Sequence, residues 1–165
     1  MSTLLSKKTD YALLILAHLH ERPTGGSARE VADRFGLSKA FLANILKELC
    51  QKGFLISHRG VKGGYSLQRP ADQITLAELL QAMEDGWNLT TCASEREDEP
   101  HDCTVHNVCP IRGPLSEIHR RLLDALRGVS LADVFTPRGR PLTTFQPVLT
   151  VLNPRPADGL QELTA

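Results

Sequence analysis

Apolar residues recur at helical spacing through the first half of the chain. Positions 11, 14, 15, 18 and 19 form one stripe, which predicts a helix over residues 8–21, and Pro23-Thr24-Gly25-Gly26 ends it. Ser27 is placed to cap a short second helix with Val31, Ala32 and Phe35 inward, and Gly36 to close it in the left-handed conformation. Ser38 caps a third helix in which Leu42, Ile45, Leu46 and Leu49 make the buried face. That leaves Lys39, Ala40, Ala43, Asn44 and Lys47 pointing outward, until Gly53 stops the helix. Phe54-Leu55-Ile56 reads as a strand, residues 57–64 as a glycine-rich turn, and Tyr65-Ser66-Leu67 as the returning strand.

Thr75 opens a fourth helix through about residue 85 that buries Ile74, Leu76, Leu79, Leu80 and Met83. Residues 86–114 lose periodicity. From Leu115 helix returns with Leu115, Ile118, Leu122, Ala125 and Val129 at alternating threes and fours, while Glu117, Arg120, Arg121, Asp124 and Arg127 face away. So narrow a seam is the pattern of a helix packed on a partner helix, with packing against its own amino-terminal domain as the alternative. Beyond it, prolines at 137, 141, 147, 154 and 156 predict an extended or disordered tail.

The predicted fold is mainly α: a winged helix-turn-helix with a two-stranded β wing, plus a long dimerisation helix. Its parts are a DNA-binding domain over residues 1–72, a helix and cysteine-rich loop over 73–113, and a dimerisation helix with a short carboxy-terminal helix over 114–136. The tail over 137–165 completes the chain. Two short helices joined at Gly36-Leu37 have helix-turn-helix spacing, in which the second helix enters the major groove of double-stranded DNA. Ala40 and Ala43 let the backbone approach base edges, Asn44 suits adenine, and Lys39 and Lys47 suit guanine or phosphate, with Ser38 at the helix start. In the wing, Arg59 and Lys62 can lie along phosphates, Gly63 permits close approach, and His58 is a candidate phosphate contact or a solvated turn residue.

Composition changes this picture at one point. The 165 residues carry 19 basic and 19 acidic side chains, and zero net charge ordinarily argues against nucleic acid. The zero is divided, however: residues 1–70 hold 11 basic residues against 5 acidic, a net +6, and the remainder is −6. A basic face for a polyanion therefore sits apart from an acidic region. Lys7, Lys8 and the apolar run from Tyr11 to Leu19 imitate a secretory signal, but Asp10 interrupts its start and His18-Leu19-His20-Glu21-Arg22 offers no small-residue cleavage site. No stretch approaches the ~18 apolar residues of a membrane span. A cytoplasmic protein, without a membrane partner and with reduced thiols, is expected. Enzymatic signatures such as Gly-x-Ser-x-Gly, a phosphate loop or His-Glu-x-x-His do not occur.

Three of four cysteines, Cys92, Cys103 and Cys109, fall in the aperiodic segment. Their Cys-x10-Cys-x5-Cys spacing lacks the close pair of most structural zinc sites. An iron-sulfur cluster, a zinc site and a thiol switch remain open on spacing alone. Cys50, beside Leu46 and Leu49, reads as a packed core thiol. His18, His20 and His119 have no ligand spacing, and Glu95, Glu97, Asp98 and Glu99 read as a solvated run whose charge would lower the potential of any nearby cluster.

In order along the chain, TDYALLILAHL, AREVADRFGLSKAFLANILKELCQKGFL, RGVKGGYSL, ITLAELLQAMEDG and the three-cysteine loop resemble the IscR/NsrR (Rrf-two) family of winged-helix regulators over about residues 3–135. The stretch DCTVHNVCPIRGPL…ALRGVSLADVF is most similar to members that regulate sulfur-mobilisation (SUF) cluster assembly. The resemblance implies a homodimeric repressor, reading a pseudo-palindromic operator, in which a 2Fe-2S or 4Fe-4S cluster in the cysteine loop controls DNA binding. It implies Cys92, Cys103 and Cys109 as ligands. The first gap is longer than in IscR, where both are five residues, and the position of IscR's histidine ligand holds Arg112. A carboxylate from the partner's first helix serves as fourth ligand in some relatives, and the matching position is Asp10, with His101 and His106 as local alternatives. The same cysteines could instead sense zinc, nitric oxide or oxidants without a stable cluster.

Overall fold

A computed structural model describes residues 5–60, 63–84, 87–90, 103–105 and 108–136. The first helix, α1, spans Lys7–His20. It starts one residue earlier than predicted because Ser6 supplies the cap, its hydroxyl accepting from the Thr9 amide. Its buried face is centred on Ala12, Ile15, Leu16 and Leu19, rotated from the expected stripe, and Leu14 is 43% exposed. Helix α2, Ala28–Phe35, opens with a reciprocal capping box between Ser27 and Glu30. Gly36 closes it at φ +63°, a conformation that favours glycine. Helix α3, Lys39–Gln51, is capped by Ser38 and buries the four predicted residues Leu42, Ile45, Leu46 and Leu49.

Strands β1, Leu55–His58, and β2, Gly64–Leu67, pair antiparallel with Leu55 opposite Leu67 and His58 opposite Gly64. The ladder is longer than predicted: Ser57 and His58 belong to the first strand and Gly64 to the second. Two local bonds account for this, one from the Gly63 amide to the Gly60 carbonyl and one between His58 Nε2 and Ser66 Oγ at 2.8 Å. A short 3-10 turn at Ala71–Gln73, absent from the sequence prediction, leads to α4, Leu76–Met83. Thr75 caps α4 as expected, but Leu76 is only half-buried and Ala77 takes an inner position. The helix ends at Met83, short of the predicted residue 85, as the Glu84 amide closes its last turn on the Leu80 carbonyl.

Helix α5 spans Arg112–Arg127, three residues earlier than predicted. Pro114 falls in its first turn, where a missing N–H costs nothing because those amides have no intrahelical acceptor. Its inner contacts are His119 and Leu123. Ile118 is 48% and Leu122 40% exposed, whereas Val129, predicted to continue that seam, is buried within the chain. The short helix α6, Leu131–Phe135, is tied back by hydrogen bonds from Leu76 to Val129 and from Leu131 to Ile74, both 2.8 Å. Among the described residues no helix is long and apolar enough to cross a membrane. The predicted tail from Pro137 lies outside the described residues.

One apolar core results, with α1 against α3, β2 and α4. It contains a titratable group. His18 is buried on α1, edge-on to Phe35 at 5.8 Å, and neither ring nitrogen has a partner among the described residues. Burial, then the Arg22 and Arg34 charges, hold its pKa below the ordinary 6.5, outweighing Glu21 and Glu30. The unfolded chain therefore takes up a proton that the folded chain resists, so stability is full above about pH 6.5 and falls as the pH drops through it. The melting temperature is expected to fall by roughly a few degrees between about pH 7.5 and about pH 5.5. His18→Leu should show a smaller fall in the same melts; an identical fall would remove His18 from the pH response.

Candidate functional site

The turn between α2 and α3 is rigidly specified. Gly36 and Leu37 both donate their amides to the Ala32 carbonyl, and the Ser38 hydroxyl accepts from Phe41 at 3.3 Å. With Leu42, Ile45, Leu46 and Leu49 buried, Ser38, Lys39, Ala40, Ala43, Asn44 and Lys47 are all exposed on the outer face of α3. The expected outward set is therefore brought together on one surface. Helix α3 is braced from behind by α1, through an edge-to-face contact of Tyr11 with Phe41 at 5.4 Å and an ion pair of Lys8 with Glu48 at 3.0 Å.

The wing is held by its backbone. Gly26 and Tyr65 exchange two hydrogen bonds of 2.9 Å, which joins the turn after α1 to β2. Such close approach excludes side chains: a Cβ on Gly64 would lie 2.6 Å from the Gly26 carbonyl oxygen, and one on Gly25 2.7 Å from that of Tyr65. Gly25 is also at φ +82°. His58 and Arg59 are exposed on the wing, and Gly63, half-buried, packs its backbone against His58 and Gly60. Lys62 lies outside the described residues.

Ion pairing sorts the basic residues. Arg22 pairs with Glu30, Arg29 with Asp33, and Arg34 with Glu21. Lys39, Lys47 and Arg59, by contrast, form no ion pair among the described residues. The excess positive charge of residues 1–70 is thus concentrated on α3 and the wing, where a phosphate backbone would meet it.

Of the cysteines, Cys50 is half-buried against the core and burial pushes its thiol pKa up, as suits an inert packing residue. Cys103 and Cys109 are free and half-buried on the segment before α5. Cys92, His101, His106 and the acidic run at Glu95, Glu97, Asp98 and Glu99 lie outside the described residues. Among the described residues no three potential metal ligands come together. Asp10 is exposed in the first turn of α1, with Leu14 one turn further on the same flank.

Sequence reasoning missed two polar anchors. The Glu84 carboxylate accepts from the Ser6 amide at 2.8 Å and from the buried Thr9 hydroxyl. Burial pushes the Glu84 pKa up, but these bonds and the nearby Lys8 outweigh it and hold the carboxyl below its ordinary range. His119 accepts at Nδ1 from the Leu89 amide at 3.3 Å, with the Trp87 ring 5.8 Å away. Neither contact has a periodic signature, since each joins side chains distant in sequence.

A helix-turn-helix with an open cationic face beside a two-stranded wing defines a winged-helix DNA-binding protein. A family model described as an iron-dependent transcriptional regulator, Rrf2, matches residues 5–137, and the chain belongs to that family. Protein aau3 of Rhizobium meliloti (strain 1021) is 30% identical over 142 residues, covering 86% of this chain and 89% of that protein. The HTH-type transcriptional regulator NsrR of Bacillus licheniformis is 27% identical over 132 residues, covering 79% and 90%. CymR (YrzC), the global cysteine regulator of B. subtilis, shares the fold at a TM-score of 0.62 and 24% identity, over 82% of this chain and 97% of that one. The protein is a transcriptional regulator of the Rrf2 family, not an enzyme.

The backbone seat of the wing yields a direct prediction. Gly64→Ala is expected to destabilise by about 1–3 kcal/mol in denaturant melts, because the methyl group would force two backbones apart. Gly113→Ala, whose Cβ meets nothing within 4 Å and sits in a helix, should be neutral or slightly stabilising. Equal effects would show that the close approach is not what the glycine serves.

Proposed function

We propose that the protein is a homodimeric repressor whose operator binding is controlled by an iron-sulfur cluster, with α3 in the major groove and the wing on the phosphates. The observation that carries the DNA assignment is the separation of paired from unpaired basic residues: among the described residues Lys39 and Lys47, on α3 with Asn44, and Arg59, on the wing, form no ion pair, whereas Arg22, Arg29 and Arg34 do. In this reading Asn44 reads a base edge, and Ser38, Lys39, Ala40, Ala43 and Lys47 complete the groove-facing surface. His58, Arg59, Lys62 and Gly63 follow the backbone.

The homodimer is supported by α5. Its exposed Ile118 and Leu122 lie beside a flank of charges that satisfy one another: Glu117 with Arg120 and Arg121, and Asp124 with Arg120 and Arg127. Hydrogen bonds from Arg120, then Arg121, lower the Glu117 pKa to about 2. An apolar strip bordered by self-paired charge suits a second copy of the same helix, and two-fold dimers read two half-sites of a pseudo-palindromic operator.

Cys92, Cys103 and Cys109 would hold the cluster as thiolates, with the partner subunit's Asp10 as fourth ligand. The donor chemistry fits. Two of the thiols are free and half-buried, and Asp10 lies on an exposed flank of α1 whose neighbour Leu14 offers an apolar contact to another chain. Bound there, a cluster would supply a centre whose oxidation or loss changes how the segment before α5 is held. Genes of iron-sulfur assembly are the regulated output that the family resemblance adds to this reading.

Two experiments test it. In operator titrations, Arg59→Ala should weaken binding on all sequences and flatten its salt dependence, whereas Asn44→Ala should cost about 1–3 kcal/mol on the operator and relax preference at one base pair. Equal loss on every DNA for Asn44→Ala would count against base reading there. Anaerobically purified or reconstituted protein should be brown, with visible absorption lost in Cys92→Ser, Cys103→Ser and Cys109→Ser. Colourless protein with stoichiometric zinc would replace the cluster with a zinc site, and a metal-free protein that responds to oxidants would replace it with a thiol switch.

A further inference from the structure

We propose that the first turn of α1 is a mechanical link between the cysteine-bearing segment and the DNA-reading helix, with Glu84, Thr9, Lys8 and Glu48 as its positioning residues. The inference rests on the cluster-controlled reading above and specifies how control would reach the DNA.

One end of the link is where the chain leaves α4. Glu84 is the first residue after that helix and precedes Cys92 by eight positions in the chain. Its carboxylate oxygen Oε1 receives both the Ser6 amide and the Thr9 hydroxyl, so one atom ties the capped start of α1 to the end of α4. Thr9 is fully buried, and its hydroxyl also meets Ser6 Oγ at 3.2 Å. A shift of the α4 terminus that withdrew Glu84 would leave this hydroxyl and the Ser6 amide without their charged acceptor. The start of α1 is therefore obliged to follow Glu84.

The other end lies on α3. Lys8, one residue before Thr9, reaches Glu48 at 3.0 Å, and Tyr11 packs edge-on against Phe41 in the same helix. Glu48 immediately follows Lys47, which is exposed on the outer face. Movement of the first turn of α1 thus acts on α3 at two points, one near each end of the surface that includes Asn44. Helix shifts of about 1–2 Å suffice for such switching between discrete packings. Three elements separated in sequence, α4, α1 and α3, meet at these contacts.

The test uses the full-length dimer, reconstituted anaerobically with iron and sulfide or stripped of metal, and measures operator affinity in both forms. In the parent the two affinities should differ by about 5–150-fold. Lys8→Met, which cuts the contact to α3 downstream of both Glu84 and Asp10, should bring the ratio to within about twofold of one, and Glu84→Ala should lower it, with the visible absorption of the loaded form retained in both. Glu84→Gln, which keeps an oxygen acceptor for Ser6 and Thr9, should retain most of the parent's ratio, and Glu48→Gln should behave as Lys8→Met. Lys8→Met alters a partly exposed side chain and so remains informative if Glu84→Ala fails to fold. Variants that lower both affinities equally and keep the parent's ratio would overturn the link and leave cluster control standing. A parent ratio of one would overturn cluster control, and the link with it.

Discussion

Burial of one face of α1 is the constraint on which the rest of the architecture depends. Ala12, Ile15, Leu16 and Leu19 are essentially inaccessible, and the same helix touches α3, α4 and β2. Burying large aliphatic side chains is worth about 1.5–3 kcal/mol each, so these contacts cannot be exchanged piecemeal. The helix consequently works as a spine. Its carboxy-terminal end leads into the turn that seats the wing through Gly26 and Tyr65, and its amino-terminal end meets Glu84 and braces α3.

This arrangement explains why a neutral protein can present a nucleic-acid surface. The +6 of residues 1–70 is unevenly spent in space: arginines near the α1–α2 turn pair with acids, while α3 and the wing keep their charge open to solvent. The close backbone contact at Gly64 then fixes the wing relative to the helix it accompanies. Recognition of DNA by this family member draws on charge placed by packing, not on charge in excess.

Much of this was legible in the sequence, for definite reasons. Ser27, Ser38, Thr75 and Gly36 stand where caps require their chemistry, and the α3 pattern at 42, 45, 46 and 49 admits one buried face. The outward set around Asn44 followed from that face by elimination. The α1 stripe was misplaced because Leu14 looks like a core residue, and only packing reveals that Ala12 takes the inner position. Of the seam expected on α5, Ile118 and Leu122 are exposed, whereas Val129 is drawn inside by the bridge between Thr75 and Ser130. Contacts such as Glu84 with Thr9 join residues 75 positions apart and leave no local pattern to find.

Hydrogen exchange in the protein, measured without DNA before and after anaerobic treatment with iron and sulfide, addresses the central claim most directly. If α1 carries the state of the cysteine-bearing segment to the reading head, protection changes at residues 6–10 and along α3 as well as around Cys103 and Cys109. Changes confined to the cysteine-bearing segment and α5, with α1 and α3 exchanging identically in both forms, would contradict it.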